Sequence, residues 1–205
     1  MPNRELKITP DFLLRAYAAG IFPMAEGAES LGLDWFDPPI RALIPLDDRF
    51  HVPRRLMRTI RKNPYEITLN TAFEDVMKAC AAPVEGRLVT WINSEIVGLY
   101  TALHERGNAH SVEVWSEGKL VGGLYGVSLG RAFFGESMFS RMKDASKIAL
   151  VCLVETLRKA GFTLLDTQFQ TRHLMQFGTF EISRAGYHEL LEKALREQGK
   201  ILKKE

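Results

Sequence analysis

The 205-residue chain is 46% hydrophobic and 25% charged, with a net charge of +2, a globular composition long enough for one sizeable core. Charge this near balance argues for no partner, so a charged partner has to be read from local clusters. Cys80 and Cys152 lie far apart in apolar helical patterns and read as free thiols, excluding a disulfide framework and zinc-type spacing. The start, MPNRELKITPDF, has no apolar signal region, and no apolar run is long enough to cross a bilayer. The expectation is a cytoplasmic protein with no membrane partner.

Thr9-Pro10-Asp11 predicts a helix start: a capping hydroxyl, a first-turn proline and an acid at the positive end. That helix carries Phe12, Leu13, Ala16 and Tyr17 and stops at Gly20. IFPMAEG follows and reads as an apolar, turn-rich loop. Leu33 to Phe36 reads as a short strand holding Trp35, either a stacking platform or a core ring; Asp37-Pro38-Pro39 breaks it before a strand over 40–46. Val52 to Lys62 predicts a basic helix in which Arg54, Arg55, Arg58, Arg61 and Lys62 meet no acid. The arginine bias points to a phosphate-backbone partner.

A second domain is expected to begin near Tyr65, dividing the chain into 1–63 and 64–205. YEITLN reads as a strand, and Thr71-Ala72-Phe73-Glu74 as a capping box for a helix to about Ala81. A loop covers 82–89, then a helix runs from about Ser94 to Arg106. In Ala109 to Trp115, Ser111, Glu113 and Trp115 alternate with valines; Glu117-Gly118 turns a hairpin into the glycine-punctuated 120–129 strand. Isolated glycines there mark bulges or close approach. Gly130-Arg131 turns into a strand over 132–135. Asp144 is the expected N-cap of a helix ending before Gly161. Phe162 to Phe169 reads as a buried strand whose alternation puts Asp166 and Gln168 on one face, a polar floor in an apolar pocket. A short helix over 171–177, a strand over 180–182 and a final helix from Ser183 complete the chain, ending in a basic tail over 200–204. The order predicts an α+β fold: a mixed sheet flanked by helices, by fold-level analogy like the N-acetyltransferase (GNAT-type) fold.

No nucleophile-elbow, zinc-protease, P-loop or dinucleotide pattern is present. His104, His110, His173 and His188 read as surface or structural residues. Glu136, inside FFGESMF, is the oddest charge in the chain: a carboxylate there serves function or pairs with an arginine such as Arg141.

YAAGIFPM (17–24), WFDPPIRALIPLD (35–47), TWI (90–92), HSVEVW (110–115), LVGGLYG (120–126), FFGESMFSRMKDASKIAL (133–150), LLDTQ (164–168) and FGTFEISRAGY (177–187) together resemble the leucyl/phenylalanyl-tRNA–protein transferase family. GESMFSR followed by D-x-Q is the most specific part. The resemblance implies a small N-terminal domain and a GNAT-like catalytic domain. It implies transfer of leucine or phenylalanine, and less well methionine, from aminoacyl-tRNA to the α-amine of proteins beginning with Arg or Lys. That transfer marks them for the N-degron pathway, without cofactor or metal. For that chemistry the catalytic candidates are Asp166, which would accept from, deprotonate or orient the acceptor amine, Gln168, which would polarise the ester carbonyl or orient Asp166, and Glu136, which would meet the acceptor's cationic end or support the pocket floor. The transferred side chain would sit among Leu124, Phe133, Met138, Leu153 and Leu157. The terminal adenosine would meet Trp35 and Trp91, with Tyr100 a weaker candidate, and the tRNA acceptor stem would meet the basic helix. Two competing readings are an acyl-CoA-dependent N-acetyltransferase, which lacks its expected loop because RMKDAS stands there, and a non-catalytic RNA-binding module.

Overall fold

The computed structural model describes residues 8–27, 30, 32–62, 64–83 and 90–197; most of the expected 82–89 loop and the basic tail lie outside them. Helix α1 (Pro10–Ala18) begins as expected, Thr9 Oγ1 accepting from the Phe12 amide at 3.2 Å. The IFPMAEG segment is a loop only in part: Phe22–Met24 is extended and the chain bends within 25–27. Strand β1 (Phe22–Met24) pairs antiparallel with β2 (Asp34–Phe36), Pro23 facing Trp35. The pairing gives the run's apolar side chains a partner, and a proline is tolerated because this two-stranded ribbon is all edge.

Strand β3 (Ile40–Ile44), helix α2 (Arg54–Arg61), strand β4 (Glu66–Leu69) and helices α3 (Phe73–Ala81) and α4 (Ser94–Glu105) follow. Next come strands β5 (Ala109–Ser116), β6 (Lys119–Leu129) and β7 (Ala132–Ser140), and helix α5 (Ala145–Lys159). Strand β8 (Leu164–Asp166), helix α6 (Arg172–Met175), strand β9 (Phe180–Ser183) and helix α7 (Arg184–Leu195) end the order. Seven strands form one sheet in the order β4-β5-β6-β7-β8-β3-β9. Its one parallel pair is β7 with β8, joined through α5. One face is packed by Leu13, Val76, Ile96 and Leu191 from α1, α3, α4 and α7. The other is packed by Leu56, Ile148, Leu157 and Leu174 from α2, α5 and α6. Both faces are therefore covered, and all of Ala109 to Val114 in β5 is buried instead of alternating. Strand β3 lies between β8 and β9, so a boundary at 63/64 leaves one strand of the large sheet on the N-terminal side.

Two caps differ from expectation. Asp144 adopts φ 63° and makes no cap; its carboxylate takes Lys147 Nζ at 3.0 Å, and Ser140 Oγ meets the Ser146 amide at 3.3 Å. Thr71 does not cap α3 because Glu113 takes its hydroxyl at 3.0 Å. Glu113, fully buried, also accepts from Thr68 at 2.6 Å, from Ser111, and from the Ala72 amide at 3.4 Å. A carboxylate from β5 thus supplies the anionic group that the helix start favours.

The glycines of β6 mark close approach. A Cβ on Gly126 would stand 2.2 Å from the Phe134 carbonyl and 2.4 Å from the Phe133 ring. Neither backbone nor a fully buried ring can yield, so Gly126→Ala is expected to destabilise the fold by about 1–3 kcal/mol, the range for overpacking. Urea unfolding checks this; an unchanged midpoint contradicts the packing.

Candidate active site

The parallel pairing of β7 and β8 is short: Ala132, Phe133 and Phe134 face Leu164, Leu165 and Asp166. Beyond Phe134, β7 continues to Ser140 while β8 stops. The two strands lose each other at the carboxyl end of β8, the position where open sheets leave a crevice. A cavity of about 620 Å³ occupies it, walled by Leu124 of β6, Met138 of β7, Leu150 and Leu153 of α5, and Leu165 of β8. Phe22, Trp91 and Phe169 line another part, with Glu136, Gln168 and His173 as polar or titratable lining groups. An apolar recess with few convergent polar groups is the common form of a small-molecule site.

Glu136 reaches this wall through a bulge. Tyr125 faces Ser137, the next residue Gly126 faces Gly135, and Glu136 is the unpaired extra residue. Bulges re-aim side chains beside active sites. Its carboxylate does not pair with Arg141, which lies against the Leu120 carbonyl and the Phe139 ring. Instead Tyr17 Oη donates to Glu136 Oε1 at 2.7 Å, and Tyr100 Oη lies 3.4 Å from Oε2. Both phenols are fully buried and bonded to each other. Burial pushes the Glu136 carboxyl up to about 8, with the charge of Asp166 adding to it against the phenol hydrogen bonds.

Asp166 and Gln168 do not share a strand face. The strand ends at Asp166, and Gln168 turns to φ 57°. Asp166 is fully buried and off the cavity wall. Its Oδ1 accepts from Arg41 Nε at 3.0 Å and from the Gln168 amide at 2.8 Å. Its Oδ2 accepts from Arg41 Nη2 at 2.6 Å and Tyr187 Oη at 2.9 Å. Arg41 also donates to the Gly20 carbonyl and lies between the rings of Phe22 and Tyr187, 4.6 and 4.2 Å from their centroids. Gln168 is fixed at its backbone, its carbonyl accepting from the Ala42 amide at 3.1 Å. Its buried Nε2 has no partner among the described residues, so a donor waits at the wall for an acceptor from a ligand.

Of the residues singled out from sequence, Leu124, Met138, Leu153, Trp91, Glu136 and Gln168 line this one cavity. Phe133 and Leu157 are fully buried in the core behind it. Trp35 is one strand removed, opposite the lining Pro23 and edge-on to Phe12. Tyr100 stands behind Glu136. Arg54, Arg55, Arg58, Arg61 and Lys62 are exposed on α2, and none is ion-paired with a described residue. Helix α2 packs on α5, whose first turns line the cavity. The sequence alone does not single out Tyr17, Arg41 and Tyr187 as site residues, and His173, expected as a surface or structural residue, lines the cavity. Arg41 carried the same signal as Glu136, a lone charge in an apolar strand; Tyr17 carried none beyond its place on the apolar face of α1.

The family model for leucyl/phenylalanyl-tRNA protein transferase matches residues 43–192, and that for its N-terminal domain matches residues 7–39. The chain belongs to this family of aminoacyltransferases. A leucyl/phenylalanyl-tRNA–protein transferase of Paramagnetospirillum magneticum is 57% identical over 93% of this chain and 90% of its own length. Its namesake from Rhodopseudomonas palustris is 57% identical over 92% and 84%. Among solved structures, FemX superposes with a TM-score of 0.55 at 14% identity, covering 89% of this chain and 71% of that one. At that identity the likeness speaks to the GNAT-type fold alone. The family division falls between residues 39 and 43, at the start of β3.

Proposed function

We propose that this protein transfers leucine or phenylalanine, and less readily methionine, from aminoacyl-tRNA to the N-terminal α-amine of proteins that begin with Arg or Lys, marking them for N-degron degradation. The observation that carries this reading is the apolar cavity at the divergence of β7 and β8, with a carboxylate and an amide on its wall that have, among the described residues, no cation and no side-chain partner respectively. The ester of aminoacyl-tRNA is already activated, so the protein's work is alignment, amine deprotonation and oxyanion stabilisation.

In this reading the transferred side chain enters the recess between Met138, Leu150 and Leu153. Met138 adapts to either leucine or phenylalanine, and such a recess separates similar side chains by only about 1–3 kcal/mol per group. Trp91 stacks on the terminal adenine, for which about 1–3 kcal/mol per base is typical, and Trp35 supports that end through β1. Gln168 Nε2 donates to the ester carbonyl as it becomes an oxyanion. The acceptor's ammonium approaches Glu136, whose carboxylate takes one proton and passes it to water. The amine nitrogen then bonds to the carbonyl carbon, the carbon–oxygen bond to the ribose breaks, and the ribose oxygen leaves with a second proton from nitrogen. Asp166 works as an orienter: its oxygens hold Arg41, Tyr187 and the Gln168 backbone.

The test is transfer of radiolabelled leucine from Leu-tRNA to peptides differing only in their first residue. Transfer to Arg- and Lys-peptides but not to an Ala-peptide is expected. Absence of transfer, or acyl transfer from acetyl-CoA instead, overturns the reading.

Helix α2 gives a second measurable consequence. Replacing Arg54, Arg55 and Arg58 together by Gln is expected to weaken tRNA binding and to flatten the dependence of log K on log salt by up to about three phosphate contacts. Transfer from a minimal aminoacyl-adenosine donor stays nearly intact. An unchanged slope removes α2 from the tRNA contact.

A further inference from the structure

Among the described residues, no cation is ion-paired with Glu136. Among the described residues, five polar groups face it: Tyr17 from α1, Tyr100 from α4, Asp166 from β8, Arg41 from β3 and Tyr187 from α7. Asp166 holds the one cation among them at 2.6 Å. What remains in contact with Glu136 is a pair of phenols, and they are not equivalent. Tyr17 Oη sits at 2.7 Å from Oε1, a short charge-assisted distance. Tyr100 Oη is at 3.4 Å from Oε2, at the edge of hydrogen bonding, and makes its close contact with Tyr17. Each phenol has one proton. With the Tyr17 hydroxyl donating to Glu136, the Tyr100 hydroxyl donates to the Tyr17 oxygen, giving a chain Tyr100 to Tyr17 to Glu136 whose bonds polarise one another. Burial and the nearby carboxylate push both phenols up, so both remain donors.

The position of Tyr17 is itself fixed. It is fully buried on the apolar face of α1 beside Leu13, and its ring packs 4.7 Å from that of Phe134, two residues before Glu136. The unpaired bulge residue has no ladder partner to hold it, so the phenol is its anchor.

We infer that Tyr17 is the positioning residue for Glu136, and that α1, an element of the N-terminal segment, thereby completes the amine-binding end of the cavity. Glu136 rests against both phenols, Oε1 bonded to Tyr17 at 2.7 Å and Oε2 held only by Tyr100 at 3.4 Å, so Oε2 is the oxygen left to meet the acceptor nitrogen. This rests on the role given to Glu136 under the proposed function. The prediction is directional. Tyr17→Phe keeps the ring packing and removes the hydroxyl. The carboxylate loses its best donor, so a higher pH is needed to ionise it, and the rising limb of the pH–rate profile moves to higher pH. The acceptor amine's own titration is common to both proteins and drops out of the comparison.

The experiment measures transfer from a saturating aminoacyl donor to an Arg-peptide across pH 6 to 10 for wild type, Tyr17→Phe, Tyr100→Phe, Leu13→Ala and Glu136→Gln. Tyr17→Phe is expected to lower kcat roughly tenfold at pH 7.5, in line with a hydrogen bond to a charged group, with donor KM unchanged and the limb displaced upward. Tyr100→Phe should show a smaller displacement in the same direction. Leu13→Ala, which loosens the same helix without touching the chain of phenols, should lower Tm and leave the limb in place. The carboxyl C=O stretch of Glu136, assigned by its loss in Glu136→Gln, gives the ionisation directly and needs no turnover. A limb and an infrared titration unchanged in Tyr17→Phe overturn the inference. If Glu136→Gln is as active as wild type, the proposed role of Glu136 fails instead.

Discussion

Glu136→Gln is expected to reduce kcat for transfer to an Arg-peptide at least 100-fold, equivalent to about 2.7 kcal/mol on the barrier, the lower part of the range for general acid–base catalysis. Glutamine keeps the length of the side chain and an oxygen for the Tyr17 hydroxyl at 2.7 Å. It removes only the negative charge and the proton-accepting capacity. Donor affinity is expected to hold, because the apolar wall and Trp91 are untouched. A variant retaining more than a tenth of wild-type kcat contradicts the proton-accepting role.

Stability gives an independent reading of the same group. The folded-state pKa of Glu136 is pushed up to about 8 from an ordinary 4.5. Between those values the folded protein holds a proton that the unfolded chain has released. The sign of linkage is then fixed: stability contributed by the protonated group is fully present below about pH 4.5 and falls as pH rises toward 8. Glu136→Gln has no such group. Its stability relative to wild type should therefore grow from pH 5 to pH 8 and level off above. Parallel stability–pH curves for the two proteins would show that Glu136 is not held in this way.

The largest stability effect is expected at Arg41. Arg41→Met leaves Asp166, fully buried, as an uncompensated charge. Removing one partner of a buried ion pair costs about 3–5 kcal/mol, a large share of the total of about 5–15 kcal/mol typical of a folded domain. For a chain of this size the corresponding loss in Tm is roughly 6–20 °C. The double variant Arg41→Met with Asp166→Leu removes the charge as well and is expected to recover much of the stability. Activity should not return with it, because the Gln168 amide loses its acceptor at 2.8 Å and the carboxamide its fixed direction. Denaturant unfolding and transfer assays on the single and double variants separate these effects. A single variant as stable as wild type would sink the account of the buried pair.

The same network explains why the tip of β8 was misjudged. Alternation over 162–169 put Asp166 and Gln168 on one face, which holds only while the chain stays extended. The chain turns at Gln168 with φ 57°; the Gln168 amide donates to Asp166 Oδ1 at 2.8 Å, and Arg41, 125 positions from Asp166 in sequence, holds that same oxygen at 3.0 Å. Helix α3 gives a second case: Thr71 has the right spacing for a capping box, but Glu113, 42 positions on, takes its hydroxyl. By contrast the Thr9 cap, expected from local spacing, forms with a partner three residues on, and the caps at Asn93 and Ser183 are equally local. Strand β1 (Phe22–Met24) has no readable period because it is three residues long, and its partner β2 supplies the order.

By itself the sequence determined the helices, the hairpin strands, the family and the unusual charge at 136, because these depend on contacts a few residues apart or on motifs intact in the chain. The tertiary structure decided the rest. It placed β3 inside the large sheet, set β7 and β8 diverging to open the cavity, gave Asp166 to Arg41 and Glu136 to Tyr17. Each of these depends on which buried donor lies within 3 Å of which acceptor. In a dry interior that distance sets the energy of a charge, and no spacing along the chain encodes it.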